Sequence, residues 1–196
     1  MKTIVITSDK GGVGKSTLAA LVIEWLHFNN ISVNLIDADP IQTTRTWIDN
    51  CAFDGREILS KTSDYLIVDT AGTSGAGLTW LQKADVIVAP FQPHYPDIKT
   101  VLDWFNAINH KLQKKVMFLP NRYQKTNEQK EGVLQVQKVL DAENVGILLP
   151  FLSNRPAIYG SLLNGHGTNF FIQHSDKIVE TEAKNLMNAL INKAIG

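Results

Sequence analysis

The most constraining stretch of the 196-residue chain is Lys10-Gly11-Gly12-Val13-Gly14-Lys15-Ser16-Thr17. It follows the strand-like run Thr3-Ile4-Val5-Ile6-Thr7 and leads into a helical pattern of Leu18, Leu21, Val22, Trp25 and Leu26. Closely spaced glycines between a strand and a helix let successive backbone N–H groups curl around an anion, and the helix start adds the positive end of its dipole. Lys15 can then supply charge to the β/γ-phosphates of a bound phosphate chain, and Ser16 can ligate Mg²⁺. A glycine-rich turn without a ligand is the competing reading, and the strand-to-helix setting with its Gly-Lys-Ser ending weighs against it. Gly11, Gly12, Val13, Gly14, Lys15, Ser16 and Thr17 are therefore the candidate nucleotide-binding residues.

Further apolar runs at 31–36, 65–68, 86–89, 116–119 and 145–149 have strand character, with helix-period stretches between most of them. Ile98, Val101, Leu102, Phe105, Ile108 and Leu112 fall on one helical stripe, and Val179, Ala183, Leu186, Met187, Leu190, Ile191 and Ala194 on another. Alternating strands and helices predict an α/β fold: a doubly wound, mostly parallel sheet with helices on both faces. With no repeat or Pro/Gly/Ser linker in view, one P-loop NTPase domain is expected over residues 1–196. A hydrophobic content of 44% is enough for a proper core. In such sheets ligands sit beyond the carboxyl ends of the strands.

A phosphoryl-transfer site needs a carboxylate for the metal's water shell and a group to orient the attacking water. Asp69 closes the run Asp64-Tyr65-Leu66-Ile67-Val68-Asp69, reads as the acid of a Walker B strand, and is the candidate for the Mg²⁺ shell. Asp37-Ala38-Asp39-Pro40 ends the second strand run. It could serve the site or cap a helix at residues 41–49, and Asp39 could do both.

Where the ordinary phosphate loop has glycine five positions before Gly14 this chain has Asp9, and a second lysine, Lys10, follows it. In this, KGGVGKST resembles the variant loop of the ParA/MinD family of partition and positioning ATPases, with the layout of the small plasmid-partition members. The resemblance implies ATP and Mg²⁺ as cofactors, Lys10 as the lysine that reaches the partner subunit's ATP, and hence a nucleotide-sandwich homodimer. A lysine in trans would act as an arginine finger does, neutralising developing charge only when two subunits close. The resemblance also makes Asp39 the group that positions the hydrolytic water, beside Lys10 and Lys15 as catalytic residues. It sets Asp37 near the metal through water, with Ser16 and Asp69. Gly72 falls in a nucleotide-sensing loop.

The resemblance continues in order to about residue 171. Ala89-Pro90-Phe91-Gln92-Pro93 is similar to a proline loop that follows a strand in the family. Asn121, before Arg122, is similar to the amide that reads adenine, a task suited to a group that both donates and accepts; a turn-capping amide is the alternative. Pro150 is a candidate for flanking the base. Arg155, Pro156 and the segment to Gly165 resemble the closing loop and helix. Two departures stand out: Ile41 intervenes before Gln42, and only 21 residues separate Trp47 from Asp69.

Lys plus Arg and Asp plus Glu both total 19, which excludes a globally basic coat. Residues 111–138 nevertheless hold seven basic groups (Lys111, Lys114, Lys115, Arg122, Lys125, Lys130 and Lys138) against two acidic ones. They could track DNA phosphates without reading sequence, or be solvated surface lysines. A membrane anchor at residues 184–196 is disfavoured, since Lys184 and Lys193 are its only basic residues and it has no aromatic. Cys51 has no partner for an internal disulfide and the first residues lack a secretory apolar run, so a cytoplasmic protein is expected, nucleoid-associated if DNA is bound. The function expected is an ATP-dependent dimerising switch in plasmid or DNA partition, with weak, partner-stimulated hydrolysis and an adaptor or centromere-binding partner. The alternative is a nucleotide-gated accessory factor in conjugative DNA transfer. A small-molecule kinase is disfavoured because Lys10 has no use in one.

Overall fold

A computed structural model describes residues 1–71, 75–164, 167–174 and 177–195. Chain order is β1 (Lys2–Ile6), α1 (Lys15–Phe28), β2 (Val33–Ala38), α2 (Thr43–Phe53), β3 (Tyr65–Thr70), α3 (Gly75–Lys83), β4 (Val86–Phe91) and α4 (Tyr95–Ala107). There follow α5 (His110–Gln113), β5 (Val116–Pro120), α6 (Asn127–Glu143), β6 (Ile147–Leu148), α7 (Pro156–Tyr159), a 3-10 turn (Ser161–Asn164), α8 (Phe170–Gln173) and α9 (Lys177–Ile195).

The six strands form one sheet in the order β2-β3-β1-β4-β5-β6, and every pairing is parallel. The chain leaves β1 through α1 for the β2 edge, and later leaves β3 through α3 for β4 on the other side of β1. The winding thus reverses beside β1, and the crevice past its carboxyl end is where such a sheet binds ligands. Alternation along the strands divides the core into two layers. Ile4, Ile6, Val33 and Ile67 pack with α1, with Trp47, Ile48 and Cys51 of α2, and with α9. Val5, Val68, Ile87 and Phe118 pack with Leu81 of α3, with Ile98 and Phe105 of α4, and with Val136 of α6.

Pro90 lies inside β4, opposite Leu119 of β5. Residues of a parallel strand bond alternately to their two neighbours. Ile87 donates to Lys115 and Phe91 accepts from Asn121 on the β5 side, whereas Val88 accepts from Thr7 on the β1 side. Pro90 therefore faces β1, whose pairing with β4 stops at Val88; lacking an N–H, it ends that side of the ladder while β4 stays paired to β5.

Three expected boundaries move. The stripe from Ile98 to Leu112 is two helices, because Asn109 caps α5 by accepting from Leu112 N at 3.1 Å. The run at 145–149 yields only two strand residues, since Gly146 takes a positive φ of 77° just before them. The helix expected at 41–49 starts at Thr43 and continues to Phe53. The apolar stripe of α9, from Val179 to Ala194, is buried in the first core layer, and no helix among the described residues is long and apolar enough to cross a membrane.

Candidate functional site

After β1, Thr7 N donates to Val88 O at 3.0 Å and the chain turns out of the sheet. Gly12 and Gly14 take φ of 75° and 95°, and Val13 between them is buried. Gly14 starts α1 with no side-chain cap, leaving the first-turn N–H groups of the helix to an outside acceptor. Lys15 Nζ folds back to the carbonyl of Lys10 at 3.3 Å. Asn121 fixes the loop from beside: its Nδ2 donates to Val13 O at 2.7 Å, and a β-carbon at Gly14 would lie 2.4 Å from that nitrogen. The Asn121 Oδ1 accepts from Arg122 N at 2.9 Å. The amide that the resemblance sets at the base is here seen to hold the phosphate loop.

Asp69 lies next to Ile6 of β1 and Asp37 of β2 in the sheet register, so both acids stand at the strand ends beside the loop. Asp69 is fully buried. Its Oδ2 accepts from Thr44 Oγ1 at 2.7 Å, and its Oδ1 has no hydrogen-bond partner among the described residues. Desolvation pushes its pKa up from 3.8 to about 6; Thr44, Ser16 and Lys15 pull it down and Asp37 pushes it further up. A buried carboxylate oxygen without a partner, near the Ser16 hydroxyl, fits a hard cation that takes oxygen ligands. Thr44, which orients this acid, carries no motif and escaped the sequence reading.

Asp37 accepts from Asp39 N at 3.1 Å and Arg45 N at 2.9 Å, and so caps the first turn of α2. The cap expected of Asp39 thus falls to Asp37. Asp39 Oδ1 accepts from Ile41 N at 2.9 Å in the loop before the helix, which leaves Oδ2 available.

Lys10 forms an ion pair with Asp97 Oδ1 in the first turn of α4. The Asp97 side chain is 5% exposed and that of Lys10 45%, and the second oxygen, Oδ2, is buried without a partner among the described residues. Asp97 is a site residue that sequence did not single out: the two are 87 positions apart and meet only because β4 adjoins β1.

A cleft opens beside the loop, between Gly14, Thr17, Leu18, Asn121 and Arg122 on one side and the segment from Leu152 to Gly160 on the other. Arg155 and Pro156 line it. Pro150 does not; it lines a separate groove with Phe151 and Lys177. Gly72 and Gly165 lie outside the described residues.

The basic segment is not one surface. Lys111 of α5, Lys114 and Lys115 precede β5, while Arg122 and Lys125 follow it, and five strand residues span about 16 Å. Lys115 is further committed to the carbonyl of Ala84. Lys130 and Lys138 share α6 with Glu128, Glu131, Asp141 and Glu143.

A family model described as the CobQ/CobB/MinD/ParA nucleotide binding domain matches residues 4–166. An iron-sulfur cluster carrier protein of Rickettsia typhi is 50% identical over 38 residues, 19% of this chain and 12% of the relative, so the match spans about an eighth of that protein. Among solved structures, one described as a plasmid partition protein of Borrelia burgdorferi B31 bound to AMPPNP superposes with a TM-score of 0.69 at 20% identity, covering 98% of this chain and 99% of that one. The septum site-determining protein MinD of Pyrococcus horikoshii OT3, complexed with Mg-ADP, gives 0.70 at 13% identity over 96% and 95%. The pNOB8 ParA bound to nonspecific DNA gives 0.68 at 14% over 98% and 99%. At these identities the superpositions show the shared fold.

Proposed function

The chain belongs to the CobQ/CobB/MinD/ParA nucleotide-binding family, and from that premise we propose that it is an ATP-dependent dimerising switch of the ParA type. ATP closes two copies, the closed dimer engages a partner or DNA, and slow hydrolysis releases it. The observation that carries this reading is Lys10. Its ammonium makes no hydrogen bond within the phosphate loop; it is held by Asp97, and the side chain is 45% exposed, so it can exchange that carboxylate for the phosphates of a second copy's ATP. Exposed Ile41 and Tyr95 flank the same end of the sheet and give a second copy apolar surface to cover.

Within each copy the loop N–H groups and Lys15 would bind the phosphates, the cleft beside Asn121 the base, and Asp39 would orient water with its unused oxygen. Ser16 and Asp69 would hold Mg²⁺, with Asp37 acting through water; the ion supplies charge neutralisation on the β/γ oxygens. Lys10 from the partner copy would complete the site, so that hydrolysis waits on assembly. An adaptor or centromere-binding protein is the proposed partner. Arg122, Lys125 and Lys130 are the basic residues nearest the site's end of the sheet, and they are the proposed contacts for non-specific DNA within 111–138.

Size-exclusion with light scattering in ADP and in AMPPNP, with and without DNA, tests this. Asp39→Ala is expected to bind ATP and accumulate dimer, and Lys15→Ala to lose nucleotide binding. A monomeric Asp39→Ala protein at saturating ATP overturns the switch. Turnover stimulated by DNA or a partner supports partition, and nucleotide binding without turnover in any combination favours the accessory module of DNA transfer.

A further inference from the structure

One carboxylate oxygen outside the phosphate site holds together the far wall of the cleft. Glu182 Oε1, on the C-terminal helix α9, accepts from Ser153 N at 2.7 Å, Ser153 Oγ at 3.0 Å and Tyr159 OH at 2.9 Å. Ser153 Oγ in turn accepts from Arg155 Nε at 3.2 Å. Ser153, Arg155 and Tyr159 all line the cleft opposite Gly14 and Asn121. We propose that Glu182 is a positioning residue for base recognition: it sets the backbone at Ser153, the ring of Tyr159 and, through the Ser153 hydroxyl, the plane of the Arg155 guanidinium. This rests on the reading of the cleft as the base site.

The chemistry favours a charged acceptor at this point. A carboxylate oxygen can take several donors at once, and hydrogen bonds to an ionised group are stronger than neutral ones. Without it, two hydroxyls and a backbone N–H in a half-buried wall would lose their common acceptor, and Ser153 and Tyr159 would be joined only by way of Arg155, whose Nε donates to Ser153 Oγ and whose carbonyl accepts from Tyr159 N. The wall is otherwise short of regular structure: α7 is a single four-residue turn, and the Tyr123–Ser153 contact is an isolated bridge. Its backbone is tied on one side to the end of β5, by Leu152 N to Pro120 O at 3.0 Å, Tyr123 N to Leu152 O at 2.9 Å and Asn154 N to Tyr123 O at 3.1 Å, and on the other to α9, where Glu182 takes the Ser153 and Tyr159 hydroxyls. The nucleotide end of the sheet and the C-terminal helix are thereby coupled through one side chain 23 positions from Tyr159 and 29 from Ser153.

The test compares two probes on the whole chain: Mg-ATP, which needs the loop and the base wall, and Mg-tripolyphosphate, which needs only the loop. Titration calorimetry of Glu182→Ala is expected to show ATP affinity falling roughly tenfold or more, the scale of one charge-assisted hydrogen bond, with tripolyphosphate affinity unchanged. Glu182→Gln, which keeps the shape and one acceptor oxygen, is expected to recover part of the loss. Tyr159→Phe removes one donor and should weaken ATP alone by a smaller factor. Equal losses for both probes in Glu182→Ala and Glu182→Gln, or no loss for either, overturn the positioning role. If the unaltered protein binds ATP no more tightly than tripolyphosphate, the base-site reading itself fails, and the role of Glu182 with it.

Discussion

Asp69 has one oxygen on Thr44 and the other without a partner among the described residues, in a position with no exposure to water. Burial raises its pKa from 3.8 to about 6, so over that interval the native metal-free protein holds a proton that the unfolded chain has released. The carboxylate therefore costs nothing below the unfolded value, and its cost grows as pH rises to about 6 and is complete above it, at about 3 kcal/mol for a shift of about two units. Metal-free Asp69→Asn is accordingly expected to melt above the parent at pH 7.5, with the gap shrinking to about a third of that size by pH 4.5. A gap that does not change with pH, read in thermal melts, would show that the acid carries no such cost. The same variant is expected to lose Mg²⁺-dependent nucleotide affinity. Asp69 and Asp37 were legible in sequence because an apolar strand run ending in an acid marks the carboxyl edge of the sheet. Thr44, Asp97 and Glu182 were not, because each reaches the site from a helix whose placement is a tertiary matter, and a lone polar residue on a helix carries no periodic signal.

The strands announce themselves through β-branched runs, and α1 through its glycine loop, so these elements needed little beyond the chain. What local pattern misses is contact between elements. Gly132 of α6 packs so close to α4 that an added β-carbon would lie 2.4 Å from Ile98 Cδ1 and 2.8 Å from the Pro93 carbonyl oxygen. Alanine would gain about 1 kcal/mol of helix propensity over glycine. The methyl cannot be seated without shifting backbone, and such overpacking costs about 1–3 kcal/mol. The clash is expected to win, with Gly132→Ala lowering stability by about 1 kcal/mol in urea unfolding at an unchanged slope; a more stable variant would mean that α6 can slide. Asn109 makes the same point in the opposite direction: the apolar stripe runs on to Leu112, but the cap ends one helix and begins another. Pro90, an apparent strand breaker, sits inside β4 because its missing N–H falls on the β1 side, where the pairing ends, and not on the β5 side.

At the scale of the molecule, Lys10 and Asp97 join the phosphate loop to α4 across the switch between the two windings of the sheet. If closing two copies requires Lys10 to leave that carboxylate, Asp97→Asn is expected to lower the AMPPNP concentration that half-saturates dimer formation by several-fold, read by light scattering. An unchanged or raised midpoint would mean that the pair supports the closed form. The zero net charge likewise resolves only in three dimensions, since the seven basic residues of 111–138 are divided by β5 rather than gathered on one face. By itself the sequence determined the α/β class, the parallel sheet, the phosphate loop and the family, because glycine spacing, strand period and acid placement are local and survive without neighbours. Only the tertiary structure decided which partners those residues keep: Asp97 for Lys10, Thr44 for Asp69, Asn121 for the loop, and Glu182 for the wall of the cleft. These contacts join residues 23 to 108 positions apart, and it is the way the strands and helices assemble, not any spacing along the chain, that brings them within hydrogen-bond reach.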